Sequence, residues 1–543
     1  MKITKLFFAI AIVIFAFTSC EKSTKDLSNA IPADAGYIVH INTQSMIEKA
    51  NYDIFKNVTV ERGINMAKAM IGGSKEAVDM IDAFTKNVNS LGLDLKGDCY
   101  IYTNYVITGV VLGVNDAAKI KSSLMNIPGM QEDLIKVDGD VYYIQNNPVI
   151  AAWNKEKFLI ITHMDVSGRR SSGEMDLLAQ AKKQLTQGEK ESVNSNSNFS
   201  KFLADKKDIS VFFSYSFENI KPMLEMSGAD LPAGIISELE QLKGITSAGY
   251  ISFEKGEIVA QSKAYYDNAD TEKKYKELSA SLCGNIKGEQ LKYVPENPIF
   301  VMSMNLKGKG IYDYLKKLGI MDKVEPQAAE ADINLASLFE KFEGDVTFAI
   351  NNILSVKKSF DMGGGEKYEY DSKMPELSFF VDVKDGQGLL DMVKSKLGDD
   401  FTSSGDVKEI DANTYSFDMS GTNAYAGLAN NMFFLTNSEK AYNGVKSSGA
   451  ISKGYDSLIK NKMMFMAGNL APIKEPVLEE IKDEKGQQMF KDFIDMFGSY
   501  EFTASTDMGG SGKIGLVDKN QNSLAAIFQY VDKLLTSVNE YLR

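Results

Sequence analysis

Five short segments of this chain recur, in the same order, roughly 250 residues downstream, and that recurrence limits the fold more than any other feature. Pro32-x4-Tyr37-Ile38-Val39-His40-Ile41-Asn42 returns as Pro295-x4-Phe300-Val301-Met302-Ser303-Met304-Asn305, an offset of 263. Leu95–Ile101 matches Phe342–Phe348 at 247, and Val111–Asp116 matches Phe380–Asp385 at 269. Ala152–Thr162 matches Ala426–Thr436 at 274, and Asp208–Phe213 matches Asn461–Met466 at 253. Short matches in one order with slowly drifting offsets are the mark of an ancient internal duplication. Length alone would suggest three or four domains; the repeat reduces them to two, residues 31–290 and 291–543.

The drift in offset shows where the copies differ. The first copy carries extra residues between Asn42 and Asp98 and again around Arg169–Asn198, where Gln187–Asn198 reads as a solvated loop. The second copy gains 22 residues, Ser355–Glu376, with polar and aromatic residues alternating on either side of Gly363-Gly364-Gly365. Period-two alternation around a glycine cluster predicts a long hairpin absent from the first copy.

Within the first copy, β-branched and aromatic runs predict strands at Tyr37–Asn42, Asp98–Tyr105, Ile107–Val114, Val141–Ile144, Phe158–Thr162, Ile209–Phe217, Thr246–Phe253 and Glu257–Tyr266. Helical period marks Ser45–Lys49 onward, Ala117–Met125, Met175–Leu185, Ile235–Leu242 and Thr271–Leu282. Links of two to five residues between neighbouring strands force antiparallel pairing. The fold class is therefore α+β: two tandem copies of a largely antiparallel sheet packed with helices.

The N-terminus carries an address. Lys2 and Lys5 precede Leu6–Phe17, an unbroken run of twelve apolar residues. As a helix that run would span about 18 Å, short of the roughly 30 Å hydrocarbon core of a membrane. A basic start and a short apolar run are the marks of a secretory signal. Phe17-Thr18-Ser19-Cys20 closes it and resembles a bacterial lipobox, with Phe17 where Leu is usual. The resemblance implies cleavage after Ser19 and lipidation of Cys20. Residues 1–19 are then the signal, and residues 20–30, polar and without periodicity from Glu21 to Asn29, a tether. Two or more acyl chains hold a protein stably on a membrane. Cleavage removes two lysines and no acid, taking the net charge from −13 to −15, so lipid and not charge makes the attachment. The same acidity argues against a nucleic-acid partner.

No pattern in the chain specifies catalysis or a cofactor. Met508–Ile514 contains a Gly-Lys pair but lacks the flanking Gly and Ser/Thr of a phosphate loop, and reads as a turn between strands. Asp518–Asn522 imitates the start of a calcium loop, yet Ser523 and Gln529 stand where Gly and Glu are needed; helix capping by Asn522 or Ser523 accounts for it. His40 and His163 fall at positions taken by Ser303 and Asn437 in the second copy, which makes them structural. Cys99 and Cys283 could pair in an oxidising compartment, but read as two free, packed thiols. Glu479–Lys485 lies on the wet face of a helical stripe, and Met463–Met466 aligns with a core strand. No catalytic, cofactor-binding or metal residue is assigned, and no cofactor; Cys20 is the one site residue.

The lipobox at Cys20, the start Ile31-Pro32-Ala33-Asp34-Ala35 and the second start Val294-Pro295-Glu296-Asn297 together resemble an uncharacterised family of Bacteroidetes envelope lipoproteins built on a domain of unknown function. The resemblance covers residues 30–543 and carries no catalytic residues. It implies a protein held by lipid in the cell envelope, with the outer membrane as the expected location, facing either the periplasm or the exterior. The function read from these observations is a non-enzymatic binding or structural component whose partner is an envelope protein or glycan. The alternative is a hydrolase of envelope glycan or peptide, with an Asp/Glu site in the cleft between repeats. A carrier of an apolar ligand is a third reading.

Overall fold

A computed structural model describes residues 26–50, 91–104, 106–125, 131–146, 148–163, 176–214, 232–330, 332–361, 367–397, 407–419, 421–452 and 455–541. Residues 1–19, expected to be a signal, Cys20 and Gly363–Gly365 lie outside the described residues. Two units emerge. Unit 1 takes the chain up to residue 231, residues 239–271 and residues from 519 onward; unit 2 takes 232–238 and 272–518.

The strands of unit 1 are β1 (Tyr37–Asn42), β2 (Leu93–Asp94), β3 (Asp98–Thr103), β4 (Ile107–Val114), β5 (Lys136–Asp138), β6 (Val141–Asn146), β7 (Val149–Trp153), β8 (Lys157–His163), β9 (Ile209–Ser214), β10 (Ile245–Glu254) and β11 (Glu257–Tyr266). Its order is β5-β6-β7-β8-β4-β3-β1-β9-β10-β11, antiparallel throughout, with β2 also beside β4. Helices α1 (Thr43–Ala50), α2 (Ala117–Met125), α3 (Leu177–Thr186) and α4 (Ser197–Ala204) belong to it, while α5 (Ala233–Gln241) and α6 (Ala269–Leu282) straddle the division.

Around β8 both faces of this sheet are covered, and the sequence shows why. Phe158-Leu159-Ile160-Ile161 in β8 is apolar without a break, as a strand buried on both sides must be. Leu159 and Ile161 join Ile38, Tyr102, Val111 and Phe212 beneath α3 and α4, where Phe199 and Phe202 pack edge-on against Phe212. Phe158 and Ile160 join Leu112, Val114 and Trp153 on the other face, against Ile120 of α2.

Unit 2 contains β12 (Phe300–Lys307), β13 (Phe342–Asp361), β14 (Lys367–Val383), β15 (Val407–Asp411), β16 (Thr414–Asp418), β17 (Asn423–Ala429), β18 (Met432–Thr436), β19 (Met464–Asn469), β20 (Phe497–Ala504) and β21 (Gly510–Leu516). Their order is β15-β16-β17-β18-β14-β13-β12-β19-β20-β21, the sequence of neighbours found in unit 1. Its helices are α7 (Gly308–Lys317), α8 (Met321–Glu330), α9 (Leu335–Lys341), α10 (Gly386–Leu397), α11 (Glu439–Ser447), α12 (Asp456–Ile459), α13 (Lys474–Glu480) and α14 (Glu484–Met496). The last helix of the chain, α15 (Ser523–Tyr541), lies in unit 1. The α+β class stands.

Four local readings change. The tether ends earlier: Leu27–Ala30 form a 3-10 turn with Leu27 and Ala30 buried in the unit 1 core. The solvated loop at Gln187–Asn198 is packed, because Val193 enters the core and Asn194 bonds Ser28 and Asn29, satisfying the polar groups that made it look like a linker. The stripe around Glu479–Lys485 is two helices, since Asp483 leaves the first and caps the second by accepting from Gly486 N at 2.6 Å. Finally, Val211 opposes Val39 and Met466 opposes Met302, which sets β9 against β19 two residues away from the sequence match. A slip of two keeps every side chain on its face, so alternation alone could not detect it.

Candidate functional site

The hairpin β13–β14 is the feature that most distinguishes unit 2. Its equivalent by position in the sheet, β3–β4, joins Thr103 to Ile107 through a short link. In β13–β14 the pairing continues outward from Asn352↔Glu376 to Asp361↔Lys367, after an irregularity between Ile350 and Asn352. The base is fixed. Val356 and Met374 are buried, Lys373 donates to Ser355 Oγ at 2.9 Å and pairs with Glu479 of α13, and Gly421 in the β16–β17 turn sits against the Lys357 carbonyl at φ +93°. A Cβ at Gly421 would lie 2.9 Å from that oxygen, so the close approach requires glycine.

Beyond this base the ribbon has two unlike faces. Glu369, Asp371 and Lys373 alternate along one side of β14, opposite Ser359, Lys357 and Ser355. Tyr368 and Tyr370 stand on the other, 61% and 44% exposed, with ring centroids 6.3 Å apart and planes 22° from parallel. Two neighbouring tyrosines held in water on a ribbon whose base is packed form an apolar surface with hydrogen-bonding edges, the composition that binding interfaces favour.

A second apolar feature crosses the unit 2 sheet. Leu435, Phe379, Phe348, Met302, Met466 and Phe502 are successive neighbours from β18 to β20. Phe379 and Leu435 are 39% and 41% exposed. The sequence reading missed this row. Its signal was present in Phe379-Phe380, adjacent aromatics that a strand must send to opposite faces, so that neither face is polar.

Among the described residues, several polar clusters tie elements together. Asp208, 4% exposed, accepts from Ser45 Oγ at 2.5 Å, Lys49 Nζ at 2.8 Å and Phe253 N at 2.7 Å. Burial works against the Lys49 charge, but Asp208 and Glu254 outweigh it and raise its pKa above the ordinary value. A lysine held protonated cannot take a proton from Ser45, so this trio ties α1 to the sheet. His40 is fully buried, with Nε2 2.9 Å from Asp98 Oδ1, and Lys206 holds the other carboxylate oxygen. Burial pushes the Asp98 pKa up, yet His40 and Lys206 overcome it and bring it to about 2.

In a third cluster the Tyr265 hydroxyl donates to Asp205 at 2.9 Å, so its contact of 2.7 Å with Tyr250 has Tyr250 as donor. Burial raises both phenols; the bond to Tyr265 works against it at Tyr250, which still rises to about 12, while both bonds add to the rise at Tyr265. In unit 2 the buried Asp345 carboxylate accepts from Lys287 N, Gly288 N and Asn305 Nδ2, and Asp382 accepts from Asp345 N and Gln290 Nε2. Those two acids organise backbone.

Among the described residues no group of three or more His, Cys, Asp or Glu is placed to hold a metal, and no helix is long and apolar enough to cross a membrane. Cys99 and Cys283 are free thiols; burial pushes Cys99 up to about 12. The glycine-rich turn after Met508 joins β20 to β21, and Asn522 Oδ1 accepts from Leu524 N at 2.9 Å as a helix cap.

A family described as Domain of unknown function (DUF4836) matches residues 27–524. No curated protein matches the chain. Among solved structures, crystal forms III, I and IV of TP0453 are 10%, 10% and 9% identical to it, covering 48%, 46% and 44% of this chain and 88%, 81% and 81% of their own. Their TM-scores are 0.25, 0.24 and 0.25, too low to support an argument about fold or function.

Proposed function

The chain belongs to the DUF4836 family, a domain of unknown function, and from that premise we propose a Bacteroidetes envelope lipoprotein that binds an envelope protein or glycan without catalysis. In this reading the body is an internal duplication, residues 31–290 and 291–543, anchored by lipid on Cys20 at the outer membrane. The recurring segments and the shared neighbour order of the two sheets support the duplication. The Phe17–Cys20 motif supports the anchor. The observation that carries the binding role is the exposed Tyr368–Tyr370 pair on a hairpin that only the second half possesses.

The test is photocrosslinking in intact envelopes, with a crosslinking amino acid at Tyr368 or Tyr370 and a control at Val137, an exposed edge residue of β5. One defined partner recovered from the hairpin positions and not from Val137 is the expected result. The same abundant bystanders from all three would overturn the proposal. Cys20→Ser should move the protein from the membrane fraction to the soluble one.

A second reading, carriage of an apolar ligand, draws on the row from Leu435 to Phe502. It requires saturable binding of a fluorescent fatty acid that Phe379→Glu weakens at least tenfold, about 1.4 kcal/mol; absence of saturation removes it.

A further inference from the structure

The segment that completes unit 1 is the last segment of the chain. Gly256 N, in the turn between β10 and β11, donates to Gln521 O at 2.8 Å, and Asn522 Nδ2 donates to Phe253 O at 3.0 Å. Gly256 has φ +74°, and a Cβ there would come within 2.8 Å of the Lys519 backbone, so only glycine admits this segment so closely. Asn522 then starts α15, whose Leu524, Ala525 and Ala526 are buried. Leu524 forms one apolar cluster with Ala50 of α1 and Phe253 of β10, against which Met46, Ile209, Ile251 and Ile258 pack.

The opposite transfer occurs with α6. It follows β10 and β11 along the chain, yet its residues from Glu272 belong to unit 2. There Lys307 Nζ donates to Ala280 O at 2.7 Å, Cys283 bridges Leu306, and Gly310 presses on the Ser281 carbonyl. Each terminal helix therefore follows the last two strands of one unit and docks in the other.

We propose that α15 is a strap built into the fold that closes unit 1. The apolar site formed by α1, β10 and β11 is matched to one occupant, the chain's own residues 519–534. Unit 1 is then incomplete until residues 519–534 are in place, and its local stability is set by residues more than 250 positions from its other elements.

The experiment uses the full chain with a protease recognition sequence inserted between Val517, which is 60% exposed, and Asp518. After cleavage the C-terminal fragment should co-elute with the body on size exclusion. Loss of the fragment from the cleaved wild-type chain would overturn the proposal. In the uncut chain Leu524→Asp should speed amide exchange in α1 and β10 by roughly tenfold or more while β13 and β14 stay protected. Asn522→Ala, which removes one anchoring bond and the cap, should act in the same direction more weakly and keeps the test open if Leu524→Asp does not fold. Unchanged α1 and β10, or equal loss in both units, would refute the strap.

Discussion

Replacing Asp98 by Asn should destabilise unit 1 in neutral solution and progressively less as the pH falls below 3.8. Asp98 stands at the start of β3 opposite Asn42 of β1, and joins buried His40 to Lys206, which follows α4. Its pKa of about 2, against an ordinary 3.8, corresponds to about 2.4 kcal/mol. The side chain is 29% exposed, so solvent screening brings the expected contribution to about 1–2 kcal/mol. A depressed carboxylate pKa makes this stability fully present above 3.8 and removes it as the pH falls through about 2.

The assay is urea unfolding followed by tryptophan fluorescence. The single tryptophan, Trp153, is fully buried in unit 1, so its emission reports that unit even though a two-unit chain need not unfold in one step. Wild type and Asp98→Asn should differ by about 1–2 kcal/mol at pH 6, and by about a third of that at pH 2.5. An equal gap at both pH values, or none at pH 6, would refute the electrostatic account of this contact.

Three further outcomes are expected. Lys49→Met strands Asp208 without its charged partner and should cost about 3 kcal/mol by the same fluorescence assay, while Lys263→Met at the exposed Asp205 pair should cost less than about 1 kcal/mol. Iodoacetamide at pH 8 should leave Cys99 unmodified in the native protein, read by peptide mass, because its thiol is buried and pushed up to about 12; both Cys99 and Cys283 should react in denaturant. Tyr368→Ser with Tyr370→Ser should leave thermal stability within about 0.5 kcal/mol, since neither ring is buried, and should abolish the hairpin crosslink.

Several elements were readable because one residue type at one spacing has one solution. Tyr37–Asn42, Ile107–Val114 and Glu257–Tyr266 fall where β-branched and aromatic runs put them. The Ser355–Glu376 insertion is a ribbon because glycines interrupt a period-two pattern, and a two-stranded turn satisfies both. Other elements resisted for equally physical reasons. Val149–Trp153 was missed as a strand because Ala151 and Ala152 weaken its propensity; both are buried, so packing decides it. Gln187–Asn198 is polar enough for a loop, yet its polar groups find partners in the N-terminal segment some 160 residues away. The apolar row from Leu435 to Phe502 exists only across six strands, and no single segment contains more than one or two of its members.

The sequence by itself determined the α+β class, most strand positions of the first half and the hairpin, because these depend on local period and propensity. The tertiary structure alone decided which acids are anchors, since a carboxylate's role depends on donors that arrive from distant strands, as Phe253 N reaches Asp208. It also decided that the C-terminal helix belongs with the first unit. Nothing local in Ser523–Tyr541 specifies its receptor; an apolar helix face fits any matching surface, and the choice is made by the turn at Gly256 and the cap at Asn522 that hold it to β10.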